Sequence, residues 1–190
     1  MVVLAGALYG RRGIIVEGEL VRLRAYGPSD IGAVMKWVND PEVTQHLEAF
    51  VAPVSRLAEE RWLETVALGA DPNHRIFAIE TLGGEYLGGI DLRNIAWLDR
   101  KAELGIAIGN KSYWGKGYGT DATRVMLRFA FDVLNLNRIW LRVHEDNPRA
   151  IACYGKCGFK REGLLRQDHF ARGEYRDVII MGLLRSEFPG

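Results

Sequence analysis

The residues best placed to do chemistry are three glycines at alternate positions, in the run Ser112-Tyr113-Trp114-Gly115-Lys116-Gly117-Tyr118-Gly119-Thr120-Asp121-Ala122. Glycine lets a backbone bend into dihedrals other residues avoid and lets it approach a ligand closely. Several N–H groups aimed at one spot ahead of a helix make an anion cradle, and phosphate is the natural occupant. Two elements must hold such a loop. Upstream, Leu104, Ile106 and Ile108 alternate with Glu103, Gly105 and Ala107, the period of a strand. Downstream, Ala122, Val125, Met126, Phe129, Ala130 and Val133 fall on one face of a helix. A dinucleotide fingerprint needs a different glycine spacing, and a P-loop needs Ser or Thr after the lysine, where Gly117 follows Lys116.

A second constellation follows. Arg138 to Val143 alternates as a strand and runs into His144-Glu145-Asp146-Asn147-Pro148. Asn147 suits a helix N-cap and Pro148 the first helical position. Ala150, Ile151, Tyr154 and Lys156 then occupy a short helix that Gly158 can end.

Together these segments resemble the GNAT superfamily of acyl-coenzyme A N-acyltransferases. Gly117 and Gly119 match the small positions of its pyrophosphate loop, Gln/Arg-x-x-Gly-x-Gly/Ala, while Trp114 stands where Gln or Arg is usual. Asn147, Ala150, Tyr154, Lys156, Gly158 and Phe159 match the segment N-x-x-A-x-x-x-Y-x-K-x-G-F. The resemblance covers about residues 18 to 187. The run Phe131 to Leu136, with Glu162 to Arg166, Gly173 to Asp177 and Met181, is similar to the subgroup of ribosomal-protein N-terminal and spermidine N-acetyltransferases.

The resemblance implies direct transfer of an acetyl group from acetyl-coenzyme A to a primary amine in a ternary complex. Backbone donors of Gly115, Lys116, Gly117, Tyr118, Gly119 and Thr120 would bind the diphosphate. Pantetheine would lie along Ile106, Ala107 and Ile108 and bond Asn147, with Ala150 also at the cofactor and Lys156 within reach of its phosphates. A backbone N–H of that strand can stabilise the charged carbonyl oxygen. Tyr154 is the expected general acid toward the departing thiolate, and Glu103 the expected base. Glu48, His46 and Phe50, with Asp168 and His169 of the last hairpin, are the expected acceptor wall. His74 and His144 belong to no recognisable constellation, and no metal site is expected.

The chain has 190 residues, 48% of them hydrophobic, enough for one domain with a full core. A net charge of +1 supplies no broad field for nucleic acid or an anionic membrane. No apolar run approaches the ~20 residues of a membrane span. Residues 1–17 read as an N-terminal extension, either an extra edge strand or a frayed end, without the features of a secretory signal; residues 18–187 read as one domain in a cytoplasmic protein. Cys153 and Cys157 read as small core residues without a disulfide.

Strands are expected over Glu19 to Tyr26, Arg75 to Thr81, Tyr86 to Asn94, Lys101 to Ile108, Lys160 to Phe170 and Tyr175 to Leu184. One helix should start at Ser29, with Ile31, Val34, Met35 and Val38 inward, and stop at Asn39-Asp40-Pro41. Another should run from Ser55 to about Leu68, with Ala58, Trp62, Thr65 and Val66 inward. This order gives an α/β fold of the α+β kind, a mixed sheet covered by helices. It matches the GNAT order, in which the central strands splay and admit the acyl-pantetheine. The dispersed Asp40, Glu42 and Glu48 favour a protein N-terminal α-amine as acceptor. A small amine such as a polyamine or aminoglycoside is the alternative. A binding module without turnover is a third reading, which retention of Tyr154 and Glu103 opposes. Monomer and homo-oligomer both remain open.

Overall fold

A computed structural model describes residues 9–10, 13–14, 16–47 and 52–189. Its strands are β1 (Tyr9–Gly10), β2 (Gly13–Ile14), β3 (Val16–Glu17), β4 (Val21–Arg24), β5 (Arg75–Thr81), β6 (Tyr86–Ala96), β7 (Lys101–Ile108), β8 (Arg138–His144), β9 (Lys160–Ala171) and β10 (Glu174–Leu184). The helices are α1 (Ile31–Val34), α2 (Pro41–Thr44), α3 (Arg56–Leu68), α4 (Tyr118–Arg128) and α5 (Pro148–Lys156). β1 and β2 pair with each other, and the remaining strands form one sheet in the order β3-β4-β5-β6-β7-β8-β10-β9.

Every neighbouring pair in that sheet is antiparallel except β7 and β8. Those two are parallel and pair only at Lys101–Arg138, Ala102–Ile139 and Glu103–Trp140. Beyond Glu103 they part, and the far half of β7 keeps a sheet neighbour only on the β6 side. The splayed mixed sheet is therefore present.

The main core lies under α4 and α5. Leu23, Ile79, Ile90, Leu92, Val125, Met126, Leu127, Phe131, Ile139 and Leu141 are fully buried there. Each large aliphatic side chain so buried contributes about 1.5–3 kcal/mol. Helix α4 is also tied to the sheet edge, because the Asp121 carboxylate accepts N–H bonds from Glu19, Leu20 and Val21 at 3.2, 2.8 and 3.0 Å.

The opposite face carries a smaller cluster around Tyr26, Leu63 and Ala78. Two helical expectations change here. The first helix is only one turn, α1, followed by turns; Asp40 then caps the separate α2 by accepting the Glu42 N–H at 2.9 Å. Ser55 does cap α3, accepting the Ala58 N–H at 3.2 Å. Its inward residues, however, include Glu59 and Leu63 beside Val66; Ala58 and Thr65 are exposed, and Trp62, though 39% exposed, turns its ring onto Tyr26. The reason is that α3 roofs a cavity as well as packing on the sheet, so its inner face need not be wholly apolar.

Candidate active site

The glycine loop has the backbone its spacing demanded. Gly115 and Gly117 have φ of 72° and 92°, in the left-handed region, and Gly117 is the N-cap of α4. Trp114 closes the loop onto the sheet: its indole N–H donates to the Ile108 carbonyl at 2.7 Å. The Arg149 guanidinium, from the first turn of α5, stacks on the same indole 3.8 Å from the ring centroid. A positive charge thus stands beside the loop, supplied by a different element from the usual Gln/Arg position. The residues fit an anionic diphosphate: a positive helix end, two glycines in left-handed conformation and an arginine with no carboxylate partner among the described residues.

A cavity of about 850 Å³ runs from this loop through the sheet where β7 and β8 part. Ile106, Ala107, Ile108, Gly115, Gly117, Gly119, Thr120, Asn147, Ala150, Tyr154 and Lys156 all line it, as does His46. Lys116 and Tyr118 lie within the loop without lining the cavity, and the Tyr118 ring packs edge-on against Tyr113 at 4.8 Å. Asn147 caps α5, accepting the Ala150 N–H at 3.1 Å. Thr120 directs its hydroxyl to Cys153 Sγ at 3.3 Å. Both cysteines are free; Cys157 is buried, but Cys153 is a cavity wall and not core.

Tyr154 is 7% exposed and packs edge-on against Phe159. Burial foremost raises its pKa, and the neighbouring Cys153 and Cys157 add to this, so the phenol is protonated at neutral pH.

Three expectations about side chains need correction. Glu103 does not line the cavity. It is buried at 6% exposure, 3.1 Å from the Arg93 guanidinium and accepting from Asn94 Nδ2 at 3.1 Å. The cause is its position: β8 still pairs with β7 at Glu103, so the gap has not opened there. Asp168 and His169 also stand outside the cavity wall. Asp168 binds Arg142 at 2.6 Å and His169 stacks on His144 at 4.4 Å, so both back the residues that do line it. Glu48 and Phe50 lie outside the described residues.

His74 and His144, expected to stand apart, each join a constellation. His74 Nε2 is 2.8 Å from Asp91 Oδ2, and both line the cavity. Asp91 sits over Gly105, where a Cβ would lie 2.5 Å from its carboxylate. This is why the strand needs glycine at that point. His144 is buried between His46 and His169. His46, His144 and Asp146 offer ligand atoms within 4.8 Å of one another, a donor set of the kind zinc uses. The surroundings fit a cation poorly. Asp146 already pairs with Arg176, and Arg149 and Arg172 add positive field at His46. Burial, the largest cause, holds the His46 pKa below the usual imidazole range.

The remaining wall was not visible in spacing. Tyr26, Trp37, Glu59, Trp62, Tyr86 and Asp91 also line the cavity. Tyr26 meets Trp62 edge-on at 5.4 Å and Tyr86 at 6.2 Å. Only the tight fits against glycine, Tyr26 over Gly89 and Trp37 over Gly109, leave a trace in the sequence.

Residues 21–160 match the family described as Acetyltransferase (GNAT) domain. A spermidine N(1)-acetyltransferase of Vibrio cholerae is 35% identical over 118 residues, covering 62% of this chain and 68% of that protein. A putative ribosomal N-acetyltransferase of Bacillus subtilis, YdaF, is 35% identical over 107 residues, covering 56% and 58%. Among solved structures, the Vibrio cholerae spermidine N-acetyltransferase in complex with CoA and spermine superposes with a TM-score of 0.81. It has 28% identity and covers 90% of this chain and 98% of its own.

Proposed function

The chain belongs to the GNAT acetyltransferase family, which uses acetyl-coenzyme A, and from that membership we propose that its acceptor is a small-molecule amine of the polyamine class. The observation that carries the reading is the acceptor arm, where Glu59 and Asp91 face a cavity walled by Tyr26, Trp62 and Tyr86. A cationic amine gains from carboxylates and aromatic faces in such a place. The named activity of the Vibrio cholerae relative supports the same direction. This reverses the preference for a protein N-terminus, which rested on carboxylates that looked dispersed along the sequence.

Acetyl-coenzyme A supplies the activated acyl group as a thioester. The chain's own residues have four tasks. The backbone of Gly115 to Thr120, with Arg149, holds the diphosphate. The far half of β7, free of β8, offers backbone groups to the pantetheine arm. The acceptor arrives as an ammonium and must lose a proton before it can attack. The His74–Asp91 pair is the base that faces the cavity, its carboxylate holding the imidazole at 2.8 Å. Tyr154 donates toward the leaving sulfur. Since burial has made its phenol a weaker acid, the O–H acts first as a hydrogen-bond donor to the developing thiolate and releases its proton late.

Thiol release from acetyl-coenzyme A, measured against polyamines, aminoglycosides and N-terminal peptides, tests the reading. Polyamines should give the highest kcat/KM. Turnover with peptides alone would establish the second reading, favoured by the likeness to YdaF. Cofactor binding without thiol release for any acceptor would establish a binding module.

A further inference from the structure

We propose that Glu59, walled by Tyr26, Trp62 and Tyr86, holds a second cationic group of the acceptor, so that the enzyme selects a diamine over a monoamine. The inference deepens the small-amine reading and rests on it.

The argument begins with four buried carboxylates: Asp30, Glu59, Glu80 and Glu103. Asp30 is bound by Arg24, Glu80 by Arg22 and Arg24, and Glu103 by Arg93. Glu59 is 7% exposed, yet its carboxylate has no hydrogen bond or ion pair among the described residues. A buried carboxylate without a partner costs several kcal/mol or is driven to protonate. Burial alone raises the Glu59 pKa, whereas arginines hold Glu80 below its ordinary range. Glu59 faces the cavity, so a ligand can reach what the protein leaves uncompensated.

The walls point to the charge of that ligand. Three aromatic rings line the same end of the cavity, two of them edge-on to Tyr26. An ammonium among aromatic faces with a carboxylate at hand is favoured by quadrupole and charge together. An anion would meet Glu59, and a neutral alkyl chain would leave it unpaired.

The test uses the full chain, with α,ω-diamines of three to eight methylenes and the matching n-alkylamines as acceptors. Thiol release gives kcat/KM, and calorimetry on the coenzyme A complex gives amine affinity directly. The best diamine should exceed its matched monoamine by about tenfold in kcat/KM. Glu59→Gln should collapse that ratio toward unity, and Trp62→Ala, at a partly exposed site, should reduce it. Apo Glu59→Gln should melt no lower than the parent, since the change removes an unpaired buried charge. If Glu59→Gln does not fold, Trp62→Ala decides. An equal ratio in parent and variants overturns the inference while leaving the small-amine reading intact. Absence of turnover with every amine sinks that reading, and diamine affinity in parent against variant then decides the subsite by itself.

Discussion

The cavity has two arms built on opposite principles. The cofactor arm is made largely of backbone: Gly115 and Gly117 in left-handed conformation, the start of α4 and the unpaired half of β7. The acceptor arm is made of side chains from separate elements: Tyr26 after β4, Glu59 and Trp62 on α3, His74 before β5, and Asp91 on β6. A backbone site suits a ligand common to a whole family, because N–H groups do not change with the residue that carries them. A side-chain site can change its ligand by single substitutions without disturbing the cofactor.

If the arms are separable, substitutions should split cleanly between turnover and cofactor affinity. The largest effect is expected where they meet. Tyr154→Phe should lower kcat by about 10²–10⁴-fold while calorimetric affinity for coenzyme A changes little. Unchanged kcat would remove Tyr154 from the chemistry. Next, Asp91→Asn or His74→Ala should lower kcat by about 10²-fold, again with cofactor affinity retained. A parallel loss of cofactor affinity would mean that the arms are one site. Gly117→Val works from the other side. A β-branched residue at φ of 92° is strained by about 1–2 kcal/mol, so the cofactor Kd should rise about tenfold at near-constant amine KM. The smallest change in turnover is expected for Glu103→Gln, less than about threefold, with a lowered Tm because Arg93 loses its partner. A collapse of kcat like that of Asp91→Asn would return the role of base to Glu103.

The same contrast explains what could be read from the sequence. The loop and Asn147 were legible because backbone geometry imposes residue types at fixed spacing: glycine at positive φ, asparagine at a cap; Tyr154 was picked out by the family resemblance. The strands of the central sheet were legible from alternation, including Arg75–Thr81 and Lys101–Ile108. Glu59 was not. It occupies an inward position on a helix, where charge argues for the outside, and only the cavity beneath α3 makes it tolerable. His74 and Asp91 lie 17 residues apart, and strand register alone brings them together. Glu103 was misplaced for a related reason. Alternation gives the face of a side chain but not the point along β7 at which β8 departs, and Glu103 lies on the closed side of it.

The three-residue pairing of β7 with β8 has a further consequence, for cooperativity of unfolding. Hydrogen bonding across the middle of the sheet is thin, with β3 to β7 on one side and β8, β10 and β9 on the other. Anything seated in the fork touches both halves and acts as their missing rungs. At a hundred times its Kd, such a ligand adds about 2.7 kcal/mol to the free energy of unfolding. Amide exchange should report that gain on both flanks of the seam, with β8 slowing together with the far half of β7.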